Sequence, residues 1–170
     1  MISILFARLA TSLRRSPSKA DASGLLVELA WLLPILGVAV VASPAMEWSP
    51  QFGSDTFKLA LVAIFVPALG EELLFRVVPL PDPQRASGFP WFAASIALTA
   101  FVLWHPLQAL LFGGARAEIF LDLWFLIAVA ALGFACTRLY WKSGSVWPAV
   151  FLHWLVVVGW KALAGGPPLV

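Results

Sequence analysis

The feature of this sequence that most restricts its fold is a succession of five apolar stretches, each close to the length of a membrane-spanning helix. An α-helix needs about 20 residues to cross the hydrocarbon layer of a bilayer. The stretches lie near 24–43, 57–78, 91–112, 119–140 and 146–163. The segments between them are rich in Pro, Gly, Ser and Asp, which favour turns. The sequence therefore predicts an all-α, multi-pass membrane bundle of about five transmembrane helices.

Composition supports a membrane setting and argues against other classes of protein. Of the 170 residues, 61% are hydrophobic and 12% are charged. Soluble domains average about 45–50% apolar and about 25% charged residues. A net charge of +2 without a long basic run gives no indication of nucleic-acid binding. The single cysteine, Cys136, cannot form an intramolecular disulfide or a multi-cysteine metal site.

The chain divides into a short N-terminal segment and one larger unit. Residues 1–23 begin with an apolar run that has no preceding positive charge and is followed by Arg14 and Arg15, the reverse of the order in a secretory signal. We therefore expect residues 1–23 to form an interfacial segment. Residues 24–170 contain no internal repeat and are expected to form a single transmembrane domain.

The distribution of Lys and Arg predicts the orientation of this domain. If the N-terminus is inside, eight basic residues fall on the inner side: Arg8, Arg14, Arg15, Lys19, Arg76, Arg85, Arg138 and Lys142. The outer side then carries three: Lys58, Arg116 and Lys161. Because basic residues are enriched in cytoplasmic segments, the count predicts a cytoplasmic N-terminus.

Ionisable side chains within three of the predicted spans indicate a functional site. An ionisable residue near the bilayer centre costs about 2.5–3.5 kcal/mol on insertion scales, and such residues usually face the bundle interior. Glu71, Glu72 and Arg76 lie in the second span, His105 in the third and His153 in the fifth. Ion pairs or helix–helix hydrogen bonds without a catalytic role are the alternative explanation.

Spacing within these spans predicts which side chains pair. Glu72 and Arg76 are four residues apart and share a helical face, so we expect an ion pair between them. Glu71 lies about 100° around the helix and has no such partner, which suits it to act as a general base. Phe101 precedes His105 by four residues and is expected to pack against the imidazole. Trp104, beside His105, lies away from the predicted span ends where tryptophan is common.

Three motifs in this order resemble those of the CAAX-protease and bacteriocin-processing family, also called Abi-type membrane proteins. GEELLFR at 70–76 resembles the E-E-x-x-x-R motif, and FVLWH at 101–105 resembles F-x-x-x-H. TRLYWKSGSVWPAVFLHWLVV at 137–157 resembles the third conserved region, which ends in a histidine-bearing helix. Order, spacing and membrane placement agree over residues 55–163.

The resemblance implies a glutamate-type intramembrane endopeptidase. It implies that Glu71 and His105 activate a water molecule and that His153 stabilises the oxyanion, with Glu72, Arg76 and Phe101 in support and without a metal or other cofactor. Many members carry an Asn four residues after the last histidine, where this chain has Val157. Loss of one oxyanion donor typically costs about 10²–10³ in rate.

We therefore expect a peptide or protein substrate that is cleaved near the inner interface of a bacterial cell membrane. The resemblance to the CAAX-protease family implies that this substrate can be lipidated. Membrane lipids are the other expected partners. Three alternatives stay open: a zinc hydrolase that uses Glu71, His105 and His153 as ligands, a non-catalytic membrane scaffold or immunity-type binding protein, and a proton-coupled carrier. The carrier is the least favoured, because the chain lacks the inverted repeat of many transporters.

Overall fold

The computed structural model describes residues 2–113 and 117–164, and helices dominate this part of the chain. We number the helices in chain order: α1 is Ile2–Arg14, α2 is Lys19–Ala42, α4 is Trp91–Phe112, α5 is Leu123–Ser143 and α6 is Trp147–Leu163. Helix α3 is composed of the consecutive segments Ser54–Ala63, Ile64–Leu69, Gly70–Glu72 and Leu73–Val77. A short 3₁₀ helix, Ala117–Leu121, precedes α5. The prediction of an all-α bundle is confirmed.

Within the described residues, three helices, α2, α4 and α5, are long and apolar enough to cross a membrane. Helix α6 is also apolar but has 17 residues, and α3 is interrupted within the second predicted span. The bounds of α4 coincide with the predicted stretch 91–112. Arg116, which counts toward the outer side in the orientation prediction, and residues 165–170 of the predicted domain lie outside the described residues.

Two helix starts differ from the predicted spans because side chains cap them. Helix α2 begins at Lys19, five residues before the predicted stretch, because Ser18 and Asp21 form a reciprocal capping box. Helix α5 begins at Leu123 because the Asp122 carboxylate accepts a hydrogen bond from the Phe125 amide at 2.9 Å. Hydropathy alone does not register such caps.

Helix α1 contacts the C-terminal end of α3 and the N-terminal end of α6. The Arg8 guanidinium donates to the carbonyl oxygens of Val78, at 3.0 Å, and Leu80, just after α3. The Trp147 indole at the start of α6 donates to the Leu13 carbonyl at 2.8 Å. Ile4 and Phe6 of α1 are 64% and 66% exposed, and apolar side chains of this kind suit contact with lipid.

Helix α3 changes direction immediately before the acidic motif. Val66 has φ −132° and ψ 115°, which is not helical, and Pro67 follows it. The helix resumes after Val66, and its segment Gly70–Glu72 carries the two acidic residues. Irregular backbone at membrane depth is tolerated where protein encloses it or where it lines a cavity.

Helix α5 lies centrally, between α2, α4 and α6. At Gly133 a Cβ atom would come within 2.7 Å of Leu98 Cδ1 and 2.8 Å of Phe101 Cδ1. Only glycine permits this approach of α4 to α5, and the approach fixes Phe101 in the interior.

Glu28, on α2, links that helix to α5. The Glu28 side chain is fully buried and pairs with Arg138 at 2.9 Å and with Lys142 at 3.7 Å. It also accepts a hydrogen bond from the Trp31 indole at 2.8 Å. Its charge is therefore compensated by two cations, which gives this cluster a structural role.

Candidate active site

Glu71 and Glu72 occupy successive positions of α3 but contact different neighbours. One carboxylate oxygen of Glu71, Oε1, accepts a hydrogen bond from Trp104 Nε1 on α4 at 3.2 Å. The other oxygen, Oε2, is buried and has no hydrogen-bond partner among the described residues. The Glu71 side chain retains 13% exposure, whereas that of Glu72 is fully buried.

Glu72 pairs with Arg76, as the four-residue spacing predicts. Its Oε2 lies 3.2 Å from Arg76 Nε, and neither side chain is exposed. The Arg76 guanidinium also sits 4.5 Å over the centre of the Phe101 ring, a cation–π arrangement. The charge of Arg76 is thus balanced by a carboxylate on one side and an aromatic face on the other.

His153 of α6 adds a contact to Glu72 that the sequence did not predict. Its Nδ1 lies 2.8 Å from Glu72 Oε1, whereas the spacing in the sequence predicts only the pair of Glu72 with Arg76. Its Nε2 lies 3.9 Å from Glu71 Oε2, which is too long for a direct hydrogen bond. His153 is therefore held on one ring nitrogen and faces Glu71 with the other.

His105 of α4 is buried, and its orientation is fixed by its own helix. Its Nδ1 lies 2.9 Å from the Phe101 carbonyl oxygen. Because a carbonyl only accepts, Nδ1 carries the proton, and Nε2 of the neutral ring is left with its lone pair. Phe120 and Phe125 also contact the imidazole, at centroid distances of 6.2 and 5.7 Å.

Phe101 joins the parts of this site. Its ring meets the His105 ring edge-on at 5.1 Å, as predicted, and the His153 ring at 5.8 Å. The three predicted catalytic residues therefore lie in one buried region: Glu71 and His153 face each other, and His105 is connected to them through Phe101. None of the three side chains is among the exposed ones.

The sequence did not predict two contacts of this site. One is the bond from Trp104 to Glu71, for which the position of Trp104 beside His105 was the available signal. The other is the bond from His153 to Glu72, because the sequence does not show which face of α6 turns toward α3. Val157, one turn after His153, is buried.

The described residues contain no group of three or more His, Cys, Asp or Glu side chains placed to hold a metal ion. Zinc binding by Glu71, His105 and His153 stays a hypothesis.

A protein-family model matches the part of the chain that carries this site. A family model described as type II CAAX prenyl endopeptidase Rce1-like matches residues 53–159, well over half of the chain. The chain belongs to the Rce1-like family. No curated protein and no solved structure matches it.

Membership in the Rce1-like family confirms the resemblance that the three motifs indicate. It identifies the chain as a CAAX-protease-like membrane endopeptidase in general, with a peptide or protein as substrate. Together with the three long apolar helices, it also identifies an integral membrane protein. The matched range runs from the loop before α3 into α6 and includes Glu71, His105 and His153.

Proposed function

We propose that this Rce1-like protein is a glutamate-type intramembrane endopeptidase in which Glu71 and His105 activate the attacking water. The observation that carries the proposal is the 3.9 Å approach of Glu71 Oε2 to His153 Nε2 inside the bundle, beside the buried His105. Ionisable side chains are costly at membrane depth, and the convergence of three of them from three helices is typical of a reaction site.

The roles follow from which atoms are already bonded. Glu71 Oε2 is open to accept a proton from water, and His105 Nε2 can accept a hydrogen bond from the same water. The water oxygen attacks the scissile carbonyl as its proton passes to Glu71. Collapse of the tetrahedral intermediate breaks the C–N bond, and the departing amine takes that proton, so that one acid and one amine are formed.

His153 stabilises the oxyanion in this proposal. Because Nδ1 is directed to the Glu72 carboxylate, a hydrogen bond from Nε2 to the oxyanion requires the doubly protonated ring. The two ring nitrogens of His153 lie between carboxylate oxygens, with Nδ1 at 2.8 Å from Glu72 Oε1 and Nε2 at 3.9 Å from Glu71 Oε2.

A lipidated substrate is supported by an apolar groove next to α6. The groove has a volume of about 400 Å³. It lies between the α1–α2 connection on one side and helices α3 and α6 on the other. Its lining residues include Leu13, Pro17, Ile64, Val150 and Phe151. Val150 is one turn before His153, so a hydrocarbon chain in the groove would lie near the proposed site.

We propose cleavage near the inner interface of a bacterial cell membrane, with the N-terminus cytoplasmic.

A non-catalytic scaffold or immunity-type binding protein is the second candidate. The observation in its favour is Val157, which is buried at the position where many relatives carry an oxyanion donor. The two candidates differ in whether any peptide is cleaved.

The deciding experiment is single-turnover cleavage of a panel of C-terminal and transmembrane peptides, with and without a prenyl group, by purified protein in lipid vesicles. We expect cleavage by the wild type and its loss in His153→Ala. A folded wild type that cleaves no peptide favours the binding protein. Activity that a chelator removes and zinc restores favours the zinc hydrolase.

A further inference from the structure

The two oxygens of the Glu71 carboxylate lie in different surroundings. Oε1 accepts the hydrogen bond from the Trp104 indole, whereas Oε2 is buried, has no partner among the described residues and faces His153 Nε2. Trp104 precedes His105 on α4, so one helix holds both a donor to Glu71 and the histidine proposed to act with it.

We propose that Trp104 is a positioning residue that anchors Glu71 Oε1 and thereby makes Oε2 the oxygen that receives the proton from the attacking water. This inference rests on the proposed function and adds a residue to it. The side chain of Trp104 acts through Glu71 and does not itself touch the reacting atoms.

The chemistry of the indole suits this task. An indole N–H donates and never accepts, so it bonds Oε1 without competing for the proton that the reaction moves. A glutamate side chain has three rotatable bonds, whereas tryptophan has two and is rigid beyond them. A hydrogen bond from a packed indole therefore removes conformations of Glu71 in which Oε2 would turn away from His153.

The packing around Trp104 supports the same role. Trp104 lies against the cluster that contains Phe75, Phe101 and Phe125. Phe101 is in turn fixed by the close approach of α4 to α5 at Gly133. The donor is thus attached to the same rigid group of side chains that orients His105.

The Trp31–Glu28 pair offers a matched contrast within the chain. It has the same indole-to-carboxylate bond, at 2.8 Å, but Glu28 is also held by Arg138 and Lys142. Removal of the indole N–H at Trp31 tests the same chemical change at a carboxylate outside the proposed site.

The test replaces Trp104 with Phe and, to retain the bicyclic shape, with 3-benzothienylalanine, in which sulfur takes the place of the N–H group. We expect kcat for a peptide that the wild type cleaves to fall about 10-fold or more in both variants, because small misplacements of a catalytic group are costly. KM should stay within about two-fold, and Trp31→Phe should keep the wild-type kcat. Unfolding midpoints identify any variant that has lost its fold.

The outcomes separate this inference from the proposed function. Wild-type kcat in folded Trp104 variants overturns the role of Trp104 and leaves the protease in place. An equal loss in Trp31→Phe also overturns it, because the effect would then be one of general packing. A folded wild type that cleaves no peptide overturns both.

Discussion

Glu72 Oε1 accepts a hydrogen bond from His153 Nδ1 at 2.8 Å, and this bond connects α3 to α6 inside the bundle. The other oxygen of the same carboxylate pairs with Arg76 at 3.2 Å. Glu72 therefore compensates a buried cation and orients a buried imidazole at once. This double role separates Glu72 from its neighbour Glu71, whose Oε1 accepts the hydrogen bond of the Trp104 indole instead.

Replacement of Glu72 with Gln should chiefly damage stability. The amide cannot neutralise Arg76, and an uncompensated buried charge typically costs about 3–5 kcal/mol. Denaturant unfolding in micelles measures the loss. The double variant Glu72→Gln/Arg76→Met should recover a substantial part of it, because it removes the orphaned cation. A single variant as stable as the wild type would show that the pair is not important for folding.

Gly133→Ala should weaken both folding and activity. The added methyl group would meet Leu98 and the Phe101 ring at 2.7–2.8 Å, and overpacking of this kind costs about 1–3 kcal/mol. Displacement of Phe101 would also disturb the His105 and His153 rings that it contacts. Gly37→Ala in α2 is the control, since its methyl group would meet no atom within 4 Å. The same stability in both variants would contradict close packing at Gly133.

Val157→Asn tests whether the proposed oxyanion site lacks a donor. Position 157 is one helical turn after His153, so an amide there could reach the same oxygen. If the site lacks a donor, single-turnover cleavage should rise, by up to about 10²–10³-fold with ideal geometry. An unchanged or lower rate would show that another group already supplies the donor, since an unsatisfied amide in an apolar site is costly.

The predicted orientation can be tested by cysteine labelling on a Cys136→Ser background. Cys136 is buried, and a serine hydroxyl can donate to the Ala149 carbonyl that its thiol approaches. Glu47→Cys and Arg85→Cys place reporters at exposed positions on the two connections that flank α3. We expect a membrane-impermeant reagent to label position 85 from the inside and position 47 from the outside. The reverse pattern would refute a cytoplasmic N-terminus.

The sequence predicts the local relationships of this site better than the distant ones. The pair between Glu72 and Arg76 and the edge-on contact of Phe101 with His105 both follow from four-residue spacing within one helix. The bond between His153 and Glu72 joins residues 81 positions apart, and it depends on how α6 packs against α3. Periodicity within one helix carries no information on that rotation.

The same limit applies to the shape of the bundle. Hydropathy predicts the bounds of α4 but misses the start of α2, which a capping box determines. The approach of α4 to α5 depends on the absence of one side chain at Gly133, a residue that is unremarkable in the sequence. The family motifs predict which residues belong to the proposed site, whereas the packing of α3, α4 and α6 determines how their side chains contact one another.

Cleavage by Glu71→Gln, compared with the wild type, tests the central claim most directly. Glutamine keeps the size of the side chain and can still accept the Trp104 hydrogen bond, but it cannot take a proton from water. We expect single-turnover cleavage to fall by at least about 10² with the fold retained, whereas Glu47→Gln at an exposed site should cleave at the wild-type rate. Equal cleavage by the wild type and Glu71→Gln would contradict hydrolysis by glutamate-activated water.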